Sequence, residues 1–233
     1  MSNIYNFFPL SIYKSQIKLN NNTKSDMIEE IIKMKKDSDK GLKPQKSSWT
    51  GDAHGHEFLF NNPKFNEFHK EVEKHIFKYM DHFKLNHENL LFYFQRSWAT
   101  LSNSMENISP HKHAQSHLSF AYYLKKEPEE AKLVLMDIHK HSEFIPELFT
   151  STSVDRNKIF RERSLENTAK IDLEIKEGDI IIFPSKTIHG TEKGMLNNQR
   201  ISISADILIT AKETTNLEHL TPQFSKWKEF SSN

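Results

Sequence analysis

The chain has 233 residues, with 32 Lys and Arg against 31 Asp and Glu, a formal charge of +1, and no cysteine. That length suits one substantial hydrophobic core, and the balanced charge excludes a bulk field for nucleic acid or anionic lipid. The absence of cysteine excludes disulfides, zinc–thiolate sites, iron–sulfur clusters and thiol nucleophiles, so any metal must be held by histidine and oxygen.

The opening residues lack the basic and apolar regions of a signal peptide, and no apolar run approaches the ~18 residues of a membrane span, which predicts a cytoplasmic protein. The segment "FFPLSIYKSQI" reads as a short strand. A first helix is expected from about Thr23 to Asp37, its ragged apolar face made by Met27, Ile28, Ile31, Ile32 and Met34. The polar run "DSDKGLKPQKSSWTGDAHGHE" is a loop. A second helix starts at Asn62 as cap and Pro63 as first helical residue, and Phe65, Phe68, Val72, Ile76, Tyr79 and Phe83 recur at three and four residues as its buried stripe. From Leu90 onward the period shortens. "LLFYFQRSWATLS", "LSFAYYLK", "AKLVLMDI", "KIDLEIK", "DIIIFPS" and "ISISADILIT" read as strands separated by turns such as "KEPEE", "KEGD" and "KGMLNNQ". A mainly β sandwich or barrel with the front helices lying on one sheet follows. Residues 139–169 are too long for an ordinary connection and read as a lid, substrate loop or insertion, and the tail after Ala211 as a terminal helix.

The chain has 13 histidines, and three of them fall within "SPHKHAQSH" at positions 111, 113 and 117. In an extended segment, residues two apart point to the same side, so His111 and His113 can converge on one ion. A solvated polar turn explains such a pair about as well. The second signal is "EGDIIIFPSKTIHGTEKGMLNNQRISIS", where His189 follows a buried strand and Arg200 opens an alternating one, with Ser202 on the same face. The planar fork of arginine binds a carboxylate in a bidentate way that lysine does not copy. A surface salt bridge would explain Arg200 alone, but not together with His189. His139 and His141, and likewise His54 and His56, read as solvated loop residues; His69, His75, His82 and His87 read as polar-face residues on or just beyond the second helix.

The histidines of "SWATLSNSMENISPHKHAQSHLSFAYYLKK", followed by "EGDIIIFPSKTIHGTEKG" and an R-x-S pattern, resemble the iron(II)- and 2-oxoglutarate-dependent oxygenases, and among them a bacterial and phage group of 2OG-Fe(II) oxygenases. That group shares an N-terminal "FP" strand, like Phe8-Pro9, and a Ser/Trp segment like "SSWTGD" at 47–52. The resemblance implies a double-stranded β-helix (jelly-roll, cupin-like) core. The domain would run over 1–233, with 1–89 as N-terminal strand and supporting helices, 90–210 as core and 211–233 as tail. It also implies that His111 and His189 ligate Fe(II), that Arg200 and Ser202 hold the distal carboxylate of 2-oxoglutarate, and that O2 completes the reaction, a hydroxylation. Trp98 and Tyr123 are expected as cosubstrate neighbours. Most of that superfamily carries Asp or Glu two residues after the first histidine, whereas this chain carries His113. Three arrangements stay open: His113 ligates, which the spacing favours; water or chloride fills the position; or a carboxylate such as Asp137 arrives from another strand.

Two rival readings stand beside this one. A cupin-type histidine-ligated dioxygenase or isomerase would use His117 as a further ligand, since Gly178, Pro184 and His189 approximate the second cupin motif. A non-enzymatic β-sandwich binding protein would leave the histidines incidental. The expected substrate is a small molecule or a protein side chain rather than nucleic acid or membrane, and a homodimer is allowed.

Overall fold

The computed structural model describes residues 3–41, 52–103, 106–128, 131–193 and 199–231. Most of the Ser/Trp segment at 47–52 and of the turn at 193–199 lies outside them. The frame is two antiparallel sheets. The larger contains, in spatial order, β1 (Tyr13–Gln16), β6 (Asp179–Pro184), β3 (Leu118–Lys125), β8 (Arg200–Ala211) and β2 (Leu90–Ser102). The smaller contains β5 (Lys170–Leu173), β4 (Leu133–Met136) and β7 (Ile188–Thr191). Together they form a jelly-roll core.

Two helices, α1 (Asn21–Gly41) and α2 (Asn66–His82), cover the outer face of the larger sheet. The polar cap at Asn62 forms as the sequence predicts, its side chain accepting the Lys64 amide at 3.1 Å, although Pro63–Phe65 is a single 3-10 turn before α2 begins. Phe65, Phe68 and Val72 are fully buried against Phe120, Leu124, Ile201 and Ile203 of the sheet, while Phe83 at the end of the stripe is exposed. Burial of side chains of this size contributes about 1.5–3 kcal/mol each.

The sheet separates its two faces by strand alternation. On β8, Ile201, Ile203, Ala205 and Ile207 face the helices, so Arg200, Ser202, Ser204 and Asp206 face the space between the sheets. On β3, Phe120, Tyr122 and Leu124 face the helices, and Ser119, Ala121 and Tyr123 the interior. β2 reaches the same arrangement through a bulge. The register against β8 shifts between Phe94 and Arg96, so even-numbered Phe92 and Phe94 pack toward the helices while Arg96, Trp98 and Thr100 turn to the other side.

Several expectations need correction. The N-terminal strand is confined to Tyr13–Gln16, and Phe8 lies outside it with φ 61° and an exposed ring. The tail after Ala211 contains no α-helix among the described residues, only a 3-10 turn at Phe224–Lys226. His69 and His75 are buried, not on a polar face. His69 Nδ1–H donates to Phe65 O at 3.0 Å and its Nε2 accepts from Ser97 Oγ at 3.1 Å, and His75 Nδ1 lies 2.7 Å from Tyr13 Oη. β7 was not expected as a strand; it has four residues, one of them glycine. The 139–169 segment holds a short helix, α3 (Thr152–Arg156), over a small cluster of Leu148, Phe149 and Ala169.

Candidate metal centre

His189 sits on β7, and His111 pairs with it across an isolated bridge, each backbone amide donating to the other's carbonyl at 2.9 Å. His113 is tied to the end of β6, its amide donating to Ser185 O at 2.9 Å. These backbone anchors bring three imidazoles from two distant stretches of sequence together. Each offers one nitrogen, and the three nitrogens lie within 4.8 Å of one another. Ring centroids of His111 and His189 are 4.3 Å apart, and Phe183 packs against His189 at 4.6 Å.

The second nitrogen of each ring is engaged. His111 Nδ1–H donates to Ser109 O at 2.9 Å, His189 Nδ1–H to Thr187 O at 2.9 Å, and His113 Nδ1–H to the carboxylate of Asp206. An acceptor at Nδ1 fixes that nitrogen as the protonated one, leaving the Nε2 lone pair as the ligating atom. Burial drives the His111 imidazole down to about 4 and the His189 imidazole down to about 3, the latter helped by the neighbouring His111, so both rings are neutral near pH 7. Nε2 of His111 and Nε2 of His113 then face each other at 3.0 Å. With a nitrogen of His189 within 4.8 Å of both, the three form a donor set that fits a divalent metal.

Two spaces open onto the cluster. The inner one, about 40 Å³, is lined by Thr100, Tyr123, Phe183, Thr191 and Ser202 among others, besides the three histidines. Arg200 stands behind its Thr191 wall: its Nη2 donates to Thr191 Oγ1 at 3.3 Å and to Ser102 Oγ at 3.4 Å. The residue is only 4% exposed, and among the described residues no carboxylate pairs with it. Tyr123, whose phenol burial pushes up to about 12, lies close enough to feel the Arg200 charge. The outer space, about 310 Å³, leads to His111 and His113 past Trp98, Asp52, Glu57 and Lys112. Trp98 borders both spaces, with its ring 5.7 Å from that of His113. Asp52 also borders both and accepts a hydrogen bond from Thr100 Oγ1 at 2.6 Å, and burial raises its carboxyl despite that bond.

All seven expected site residues, His111, His113, His189, Arg200, Ser202, Tyr123 and Trp98, therefore meet around one interior. Asp137 does not join them: its carboxylate caps the amides of His139 and Lys140. His117 is exposed, and its Nδ1 accepts the Ile209 amide of β8 at 3.0 Å, so it anchors the loop instead of extending the cluster. His139 and His141 stack on each other at 5.4 Å, both exposed. His54 lines the outer space. Three participants escaped the sequence reading. Asp206 follows from the strand alternation that identified Ser202 and Thr191 from its place two residues after His189, whereas Arg96 lies beyond the β2 bulge, which no local pattern marks.

Residues 96–206 match a family described as "Putative 2OG-Fe(II) oxygenase". A search of curated protein sequences gives no match. Among solved structures, the chain is similar to AviO1 from Streptomyces viridochromogenes, with TM-score 0.55 and 12% identity over 85% of this chain and 90% of that one. It is also similar to a carbocyclase, SnoK, described as non-heme and alpha-ketoglutarate-dependent, from nogalamycin biosynthesis, with TM-score 0.54 and 10% identity over 91% and 87%. A prolyl-4-hydroxylase from Pseudomonas putida gives TM-score 0.50 and 13% identity over 85% and 92%. At these identities the likeness establishes the fold. No helix among the described residues is long and apolar enough to cross a membrane.

Proposed function

Because residues 96–206 match a family of 2OG-Fe(II) oxygenases, we propose that the chain couples oxidative decarboxylation of 2-oxoglutarate to hydroxylation of a small molecule or a protein side chain. That family uses Fe(II), 2-oxoglutarate and O2, and bound together they supply an oxidant able to attack a C–H bond. Here Nε2 of His111, His113 and His189 would hold the iron.

The observation that carries this reading is the buried guanidinium of Arg200. A buried cation whose partners among the described residues are hydroxyls is costly, and a carboxylate delivered to it restores both charge and bidentate hydrogen bonds. Thr191, which Arg200 contacts, stands two residues after His189 on β7, so anion and metal sites are linked by one short strand. A dicarboxylate that reaches from Arg200 to the histidines fits that layout. Ser202 and Tyr123 line its path, and Phe183 and Leu133 keep water from it. Substrate would approach through the outer space, against Trp98. A cupin-type site has no need of Arg200, and the displacement of His117 removes the ligand that reading required.

Anaerobic titration of the Fe(II) protein with 2-oxoglutarate tests the assignment. A visible metal-to-ligand charge-transfer band is expected, absent or shifted to far higher 2-oxoglutarate in Arg200→Met. Iron that binds without any such band would sink the cosubstrate assignment. Hydroxylation is tested separately by product mass: a product heavier by one oxygen atom supports it, while loss of two hydrogens or a ring closure without added oxygen points to another outcome.

A further inference from the structure

Asp206 is fully buried on β8, an interior strand of the larger sheet, and one of its contacts is a histidine of the metal centre. Its Oδ1 accepts from Nδ1 of His113 and from Ser116 Oγ at 3.2 Å. Its Oδ2 accepts from Arg96 Nε at 3.1 Å, Arg96 Nη2 at 2.6 Å and Gln115 Nε2 at 3.0 Å. A buried carboxylate on a central strand is expensive to desolvate, and a small polar residue such as Ser204, two positions earlier on the same face, would satisfy the fold. The three histidines also differ in this respect. His111 and His189 lean on neutral backbone carbonyls, and His113 alone leans on a carboxylate. His113 is also the residue that stands where most of the superfamily carries Asp or Glu.

We infer that Asp206 is the positioning residue of this centre: it holds His113 with Nε2 toward the metal and supplies, one imidazole further out, the negative charge that a ligating carboxylate would supply directly. The inference rests on the three-histidine reading of the site. Arg96 and Gln115 occupy Oδ2 and thereby turn Oδ1 toward His113, so the carboxylate has one orientation. Asparagine at this position would be pulled the other way. Arg96 is a pure donor and draws the amide oxygen, which leaves the amide NH2 facing His113 Nδ1 and favours the tautomer that protonates Nε2. Partners of this kind behind a ligating histidine typically set metal affinity by 10–100-fold.

Two measurements test this without turnover. Titration with Co(II), followed by its d–d absorption, should show Asp206→Asn binding 10–100-fold more weakly than the unsubstituted protein, with Asp206→Glu recovering part of the loss. In the unsubstituted Zn(II) form, imidazole 1H–15N correlations should show His113 protonated at Nδ1 and metal-bound at Nε2, a readout that does not depend on any variant folding. Unchanged Co(II) affinity in a folded Asp206→Asn protein overturns the inference, as does a Zn(II) form in which His111 and His189 respond but His113 keeps its proton at Nε2. Zn(II) that perturbs none of the three rings would instead overturn the metal centre itself.

Discussion

Arg200 differs from an ordinary salt-bridged arginine in having, among the described residues, the charge without the counter-charge. Shortening the fork to a point charge should expose that difference. In Arg200→Lys the ammonium cannot span both oxygens of a carboxylate, so the 2-oxoglutarate concentration for half-maximal succinate formation should rise at least ~10-fold, equivalent to about 1.4 kcal/mol, with little change in metal content. A variant that keeps native 2-oxoglutarate dependence would show that the carboxylate binds elsewhere. Arg200 and Ser202 were legible because β8 alternates polar and apolar residues from Arg200 to Ile203 and on through Asp206 and Ile207. Asp206 lay on the same face four residues beyond Ser202 and could have been found by extending the same count. What the count could not supply is that His113, 93 residues away in sequence, points its Nδ1 there. That contact depends on the loop after β2 folding back to Ser185, which no local pattern encodes.

At the scale of the elements, one histidine of the site stands on a very short strand. β7 has four residues, and its glycine lies against the chain that carries His111. A Cβ on Gly190 would sit 2.7 Å from Ile108 O and 3.1 Å from Pro110 N, both backbone atoms that no side-chain rotation can move. Gly190→Ala should therefore push the 108–110 segment away and widen the His111–His189 bridge, weakening metal affinity and lowering the melting temperature together. Equal metal affinity in that variant would mean the bridge does not position His111. The long strands β2 and β3 begin and end where their sequence patterns do because each is a continuous run rich in aromatic residues and leucine. β7 gave no such signal, since "IHGT" has one apolar residue and is held as a strand by β4 and by His111. The bulge in β2 was equally hidden. Its effect is to turn Arg96 and Trp98 to the site, whereas a strict alternation counted from Phe92 places both on the helix face.

For the molecule as a whole, metal binding and acid act on stability in opposite senses. A metal that binds only the folded chain adds about 2.7 kcal/mol when present at 100 times its dissociation constant, which for a chain of this size raises the melting temperature by roughly 5–10 °C. Chelation should reverse the gain. Acid works through the core as well as the site. His69, wedged between α2 and Ser97, has its imidazole driven down to about 4 by burial, against 6.5 in the unfolded chain. The folded state therefore takes up this proton later than the unfolded state does. Its contribution is fully present above about pH 6.5, declines as the pH falls below that value and is gone near pH 4, for a loss on the order of 3 kcal/mol. Urea unfolding of the metal-free protein should accordingly give a lower midpoint at pH 5.0 than at pH 7.5. In His69→Gln, where a neutral side chain can still reach Ser97, the midpoint at pH 7.5 should fall while its dependence on pH flattens. An unchanged pH dependence in that variant would assign the acid loss to other groups and leave His69 protonated or solvated in the folded chain.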